Sequence, residues 1–332
     1  METDDGAFGQ VGPVAPETAW LARQRLARHV VGRDARAVER IWDVLYRTQA
    51  HGWTGLLMHA ISAVDCALWD LAGRAAGAPV YRLLGGPTRD RIEAYAQTKG
   101  MRHHPEHLLA EATALVEAGW RRLKVFFRHG PGDGLAGMRE NERVVRTLRE
   151  GLPEDVEMMA DAWRGWDASY AREMLRRLEP LGLRWLEELL RPEFAAGCAR
   201  LRREFRTPIA CGEHAYARWG HAALLGAGAA DVLQPDVTWA GGLTEARKIV
   251  VLASAAGVEV SPHTNLLEPT VHLLAAVSPG EATLLEYPVY DETYLAPFFL
   301  ARRSRAEGGA VPLPEGPGLG MDWDESKIEA HA

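Results

Sequence analysis

The chain has 332 residues, 47% hydrophobic and 25% charged, a composition that excludes collagen, coiled coil and disorder; the length allows one large barrel with appendages, or about two domains of ordinary size. Lys plus Arg number 38 against 45 Asp plus Glu, a net charge of −7, so a nucleic-acid footprint is not expected and a small-molecule partner is. Cys66, Cys198 and Cys211 lie far apart with no CxxC pair, which argues against a disulfide scaffold or a thiolate zinc site. The acidic opening METDDGAFGQ has no apolar signal-peptide core, so a cytoplasmic protein with no membrane contact is expected.

From about residue 18 to 84, apolar residues recur at three- and four-residue spacing, as in ERIWDVLYRT and LLMHAISAVDCALWDLAGRAAG, and predict helices. Gly85-Gly86-Pro87 stops them. Eight short apolar runs then follow, at 92–98, 123–127, 157–161, 184–188, 208–213, 232–236, 259–263 and 284–288. Helical stretches such as 106–118, 168–179 and 243–256 alternate with them, closed by Gly119, Gly182 and Gly257 at C-cap positions. Eight such units predict an α/β fold of the TIM-barrel type. A doubly wound sheet is the rival, and no GxGxxG turn supports it. The expected organisation is a helical region over 1–90, a barrel over 91–290, and a Pro- and Gly-rich segment over 291–332 that returns to the N-terminal helices. Arg102, His103, His104 and His107 read as a solvated loop and helix start, and the eleven tryptophans as packing.

The informative residues end the strands. Asp161 follows EMMA, Glu187 follows RWL, Glu213 follows IACG, Asp236 follows LQP, His263 follows VSP and Glu286 follows TLL. Their spacings of 26, 26, 23, 27 and 23 are one βα unit per step, which places neighbours in this series on adjacent strands at the face where barrel active sites are built. Taken singly, each could be a solvated loop acid, Asp236 a helix N-cap and Glu286 a rim ion pair. Six in succession point to a site. Carboxylates held close together raise one another's pKa unless a cation joins them, and an all-oxygen set suits a hard cation such as Mg2+.

Asp161, Glu187 and Glu213, followed by Asp236 and His263, resemble the enolase superfamily and, within it, the mandelate racemase subgroup. The segments AISAVDCALWDLAGRAAGAPVYRLLGG and MADAW through WLEELL resemble that family's two signatures. RHGPGDGLAGMREN, GEHAYARWG and LQPDVTWAGGLTEARKI resemble the L-rhamnonate dehydratase-like sugar-acid dehydratases. The resemblance implies a (β/α)7β barrel beneath a capping domain, of which residues 1–90 would be a partial, mainly helical version. Members begin with two or three antiparallel strands that find no room ahead of the helices here, so either the chain is truncated or its pocket is unusually open.

By the same resemblance, Asp161, Glu187 and Glu213 would hold Mg2+ and His263 would be the base, its other nitrogen held by Asp236. Lys124 and Glu286 would contact the substrate carboxylate from opposite sides, and His214 and Trp163 would also face the substrate. The implied reaction removes the proton α to the carboxylate of a sugar acid and expels the 3-hydroxyl, leaving a 2-keto-3-deoxy acid. A homo-oligomer is expected. Where members usually carry Lys-x-Lys, this chain reads Lys124-Val125-Phe126, so the carbon face opposite His263 has lost its usual base, which favours dehydration over racemisation. No lysine ends the sixth strand, which disfavours the cycloisomerase pattern. Trp163 stands where asparagine is common, as the dehydratase reading expects; Leu189 stands where proline is common, and nothing in the sequence explains it. A racemase with a replacement base and a non-catalytic homologue with a deficient cap are the alternatives.

Overall fold

The computed structural model describes residues 1–98, 104–289, 304–324 and 326–327. Eight parallel strands, β1 Arg91–Gln97, β2 Arg122–Phe126, β3 Glu157–Asp161, β4 Trp185–Glu187, β5 Ile209–Cys211, β6 Val232–Leu233, β7 Glu259–Val260 and β8 Leu285–Pro288, pair in the order β7-β6-β5-β4-β3-β2-β1-β8. A parallel bridge between Val260 and Ala282, just ahead of β8, joins the two ends of that order. The eight strands therefore close into a barrel.

Helices α1 Pro16–Leu21, α2 Val38–Thr48, α3 Leu56–Ala75 and α4 Val80–Leu83 precede the barrel. Seven more connect its strands in turn: α5 Pro105–Glu117, α6 Gly134–Gly151, α7 Ala168–Leu178, α8 Ala195–Glu204, α9 Ala217–Ala227, α10 Gly242–Ala255 and α11 Leu267–Ala276. Eight strands with seven crossover helices make the (β/α)7β barrel that the sequence led us to expect. Helix α7 shows why these segments are helical: Asp167 caps it by accepting from the backbone N–H of Ser169 and Tyr170, and its apolar residues Tyr170, Ala171, Met174, Leu175 and Leu178 fall on one buried stripe.

Inside the barrel, Tyr95, Met159, Trp185, Ala210, Val232 and Leu284 form one buried apolar cluster, with Tyr95 and Trp185 in edge-to-face contact at 5.5 Å. Side chains along a strand return to the same side every second residue. Two residues further along each strand or its extension therefore stand Gln97, Asp161, Glu187, Gly212, Gln234 and Glu286. The polar layer of the site rests directly on this apolar floor.

Five strands are shorter than expected, three of them by three residues. β5, β6 and β7 stop at Cys211, Leu233 and Val260, so Glu213, Asp236 and His263 lie beyond the ladder, on chain freed from strand pairing. Within the Pro- and Gly-rich segment 291–332, where no strand was expected, Ala310–Pro312 forms a ninth strand, β9, antiparallel to the start of β1. The alternation of a three-residue strand is too short to be seen in a Pro- and Gly-rich segment. Further on, Leu319 N–H donates to Asp70 of α3 at 2.6 Å, and Arg74 of α3 pairs with Asp70 at 2.7 Å and Asp322 at 2.9 Å. Helix α3 is long and apolar enough to cross a membrane by length and composition, but most of it is buried inside the protein. His104 and His107 lie at the start of α5, His104 exposed at the N-cap and paired with Glu106; Arg102 and His103 fall outside the described residues.

Candidate active site

Asp161 ends β3 and Glu187 ends β4, directly opposite each other in the register; Glu213 follows β5 after Gly212, whose φ of +131° suits a glycine turning out of the ladder. All three are buried, as are Glu188, Asp236 and Glu286. Against these six acids stand one buried lysine, Lys124 of β2, and the partly buried His214 and His263. The site therefore has more negative than positive charge.

Lys124 is the hub of one half. Its Nζ lies 2.5 Å from Glu187 Oε1, 2.5 Å from Glu286 Oε1 and 3.8 Å from Asp161 Oδ2, above the Tyr95 ring at 5.8 Å and the Phe126 ring at 5.4 Å. Burial opposes the ammonium, but Glu187 and Glu286 outweigh it and hold the lysine well above its ordinary pKa. The other oxygen of Glu187 accepts from Gln234 Nε2 at 2.8 Å and Trp185 Nε1 at 3.1 Å. Burial and then the neighbouring Glu187 push Asp161 well above the usual carboxylate range. Glu187 is raised too, first by burial, with Glu286 and Glu213 adding to it against the pull of Lys124. Such shifts are what crowded carboxylates show where too little positive charge is present.

The other half is built around two histidines. His263 Nδ1 lies 2.7 Å from Asp236 Oδ2. The second oxygen of Asp236 is taken by the N–H and the hydroxyl of Thr238, each at 2.7 Å, and Oδ2 also accepts from Asn265 N–H at 2.8 Å. With a carboxylate as its partner, Nδ1 carries the proton of the neutral imidazole, which leaves Nε2 as its unprotonated nitrogen. Nε2 faces Glu213 Oε2 at 3.5 Å. Burial alone would lower His263, but Glu213, Glu286 and Asp236 raise it to about 10. His214 Nδ1 sits 3.0 Å from Glu213 and 3.5 Å from Glu188; those carboxylates overcome its burial and raise it to about 9. Burial is likewise outweighed at Glu213, which His263 and His214 hold at about 2.

Every residue expected at the site lies at the C-terminal face. Lys124, Asp161, Glu187 and Glu286 gather around one ammonium, and Glu213, His214, Asp236 and His263 around two imidazoles. Trp163 differs, half-exposed at the mouth with φ of +49° and its backbone N–H donating to Asp161 Oδ1 at 2.7 Å. Among the described residues, Glu188, Glu213 and His214 form a group of three whose ligand atoms all lie within 4.8 Å of one another; Asp161 and Glu187 are instead drawn toward Lys124. Oxygen donors, deep burial and surplus negative charge still fit a hard divalent cation at Asp161, Glu187 and Glu213, on condition that Lys124 gives up Glu187.

Sequence reasoning missed Glu188, Gln234 and Trp239. Gln234 was within reach, because period-two alternation sets it on the same side as Asp236. Glu188 was not: its φ of +45° redirects a residue that simple alternation would turn outward, so that Oε1 accepts from Gly212 N–H at 3.1 Å. Trp239 packs against His263 with ring centroids 4.8 Å apart.

Comparison with known proteins matches residues 3–85 to the mandelate racemase/muconate lactonizing enzyme N-terminal domain and residues 107–327 to the enolase C-terminal domain-like family. An L-rhamnonate dehydratase of Saccharopolyspora erythraea is 36% identical over 329 residues, which cover 97% of this chain and 81% of that protein. The structure of a 3,6-anhydro-D-galactonate cycloisomerase from Zobellia galactanivorans superposes with a TM-score of 0.90 at 30% identity, over 99% of this chain and 92% of that one. An L-talarate dehydratase from Polaromonas sp. JS666, solved with Mg and L-glucarate, superposes with a TM-score of 0.85 at 34% identity, over 99% and 89%.

Proposed function

Because the chain belongs to the mandelate racemase/muconate lactonizing enzyme family of the enolase superfamily, we propose that it is a Mg2+-dependent acid-sugar dehydratase acting on L-rhamnonate or a close relative. The observation that carries this reading is the pairing of three buried acids at the ends of consecutive strands with a histidine–aspartate dyad across the same rim. Its dehydratase relatives support the reaction class, one named for L-rhamnonate and one for L-talarate.

In this reading His263 Nε2 takes the proton from C2 of the substrate, and the electron pair left behind moves into the adjacent carboxylate. Mg2+ held by Asp161, Glu187 and Glu213 would stabilise the negative charge that builds there. Asp236 keeps the imidazole in the tautomer whose Nε2 is free and stabilises it once protonated. The same His263 then returns its proton to the 3-hydroxyl, the C3–O bond breaks, and water leaves. The remaining C2–C3 enol tautomerises to the 2-keto-3-deoxy acid. Lys124, buried and paired with Glu286, would bind the substrate carboxylate, with Glu286 on its other side and His214 as a further contact.

The dyad itself supports a cation. The surrounding acids raise His263, and a divalent charge among those acids would offset that pull. Phe126 lies near Lys124 in place of a second amine, which favours elimination over inversion at C2.

Incubating the purified protein with Mg2+ and a panel of acid sugars that includes L-rhamnonate should give a 2-keto-3-deoxy product, detected as its semicarbazone, and EDTA should stop it. No product from any member of the panel would reject the dehydratase reading. Undiminished product after exhaustive chelation would reject the metal.

A further inference from the structure

Helix α3 grips the loop after β6 and the start of α10 at several points. Asp65 Oδ2 accepts from Thr244 N–H at 3.0 Å, Ser62 Oγ accepts from Gly241 N–H at 2.8 Å, and Trp69 Nε1 donates to Thr244 Oγ1 at 2.9 Å. The fit depends on glycine: Gly242 has φ of +81°, and a Cβ there would lie 2.2 Å from Asp65 Oδ2. His59, one turn before Ser62, adds a contact to Trp239. Its ring stacks on Trp239 with centroids 5.4 Å apart and planes 13° apart. The same loop carries Asp236, whose carbonyl accepts from Trp239 N–H at 3.1 Å. On its way to the site, the Trp239 ring meets His263 at 4.8 Å and His214 at 5.7 Å.

The His263–Asp236 hydrogen bond directs Nδ1 but leaves the imidazole free to rotate about that bond. The 3.5 Å approach of Nε2 to Glu213 is longer than a good hydrogen bond and does not fix the plane. An aromatic ring against the imidazole does. Trp239 and His59 both line a cavity of about 450 Å3, with Val14, Ala63, Thr238 and Leu266, so the indole has room to move unless His59 holds it.

We propose that Trp239 is a positioning residue for His263, holding the plane of the imidazole, and that His59 of α3 acts only through Trp239. The inference rests on the reading of His263 as the base, and the experiment separates the two. With L-rhamnonate as substrate, Trp239→Ala should lower kcat by ~10- to 100-fold, the cost of misplacing a catalytic group by about an ångström, with KM little changed. Trp239→Phe, which keeps a flat ring, should recover most of the rate. His59→Ala should lower kcat less than Trp239→Ala, and the double variant should be no slower than Trp239→Ala alone, because a residue that acts through another is not additive with it.

A second measurement needs no substrate. The NMR signals of the His263 ring, assigned by their loss in His263→Asn, should shift in both Trp239→Ala and His59→Ala while the melting temperature and Mg2+ affinity hold. Ring signals unmoved in both variants, or a fall in Trp239→Ala confined to KM, would overturn the inference. Additive losses in the double variant would overturn the role of His59. Wild-type turnover in His263→Asn would instead overturn the underlying assignment of the base.

Discussion

His263→Asn is expected to lower turnover by at least ~10²-fold, the lower range for general acid–base catalysis, and by more where one residue serves both steps. The substitution is chosen to leave the surroundings intact. Asparagine can still offer an N–H to Asp236, whose other partners, Thr238 and Asn265, are unchanged, so no buried carboxylate is stranded. What disappears is the nitrogen at the Nε2 position. Mg2+ affinity and melting temperature should therefore change little while kcat collapses, a split that a folding defect does not produce. Steady-state kinetics beside calorimetric Mg2+ titration would show it. Turnover near wild type would remove His263 from the mechanism.

Glu187→Gln should bring down Mg2+ affinity and turnover together. Glu187 is fully buried at the end of β4 and bonded by Lys124, Gln234 and Trp185, so glutamine keeps the volume and an oxygen acceptor but loses the charge. Removing a group behind the metal ligands typically costs ~10- to 100-fold in affinity or activity, and loss of a ligand charge should cost more than that. The fold should tolerate the change, because the site holds an excess of acids and Lys124 retains Glu286 and Asp161 within reach. Isothermal titration with Mg2+ checks the first quantity and product formation the second. Unchanged Mg2+ affinity would show that Glu187 serves Lys124 rather than a metal.

The barrel was legible because its units repeat: apolar runs, helices and closing glycines recur at nearly constant pitch, and the ionisable residue at each strand end keeps that pitch. Asp161 and Glu187 could be placed side by side on this ground, and they are direct register partners. Departures from repetition were not legible. Glu188 enters the site through a left-handed backbone conformation, which no apolar pattern announces. The pull of Lys124 on Glu187 depends on how far a long side chain reaches across the barrel mouth, over a floor of Tyr95. The contact of His59 with Trp239 joins residues 180 positions apart, brought together only by packing of α3 on the β6 loop. β9 owes its existence to the edge that β1 presents at its start, not to its own three residues.

The measurement closest to the central claim is an NMR spectrum of L-rhamnonate at partial conversion, incubated with the unmodified protein and Mg2+ in deuterium oxide. On the proposed assignment of His263 as the base and Phe126 in place of a second one, 2-keto-3-deoxy product should accumulate while recovered substrate keeps its C2 configuration, whether or not its α-hydrogen has exchanged. Recovered substrate inverted at C2, with no elimination product, would contradict this, placing a second base on the opposite face and making the protein a racemase.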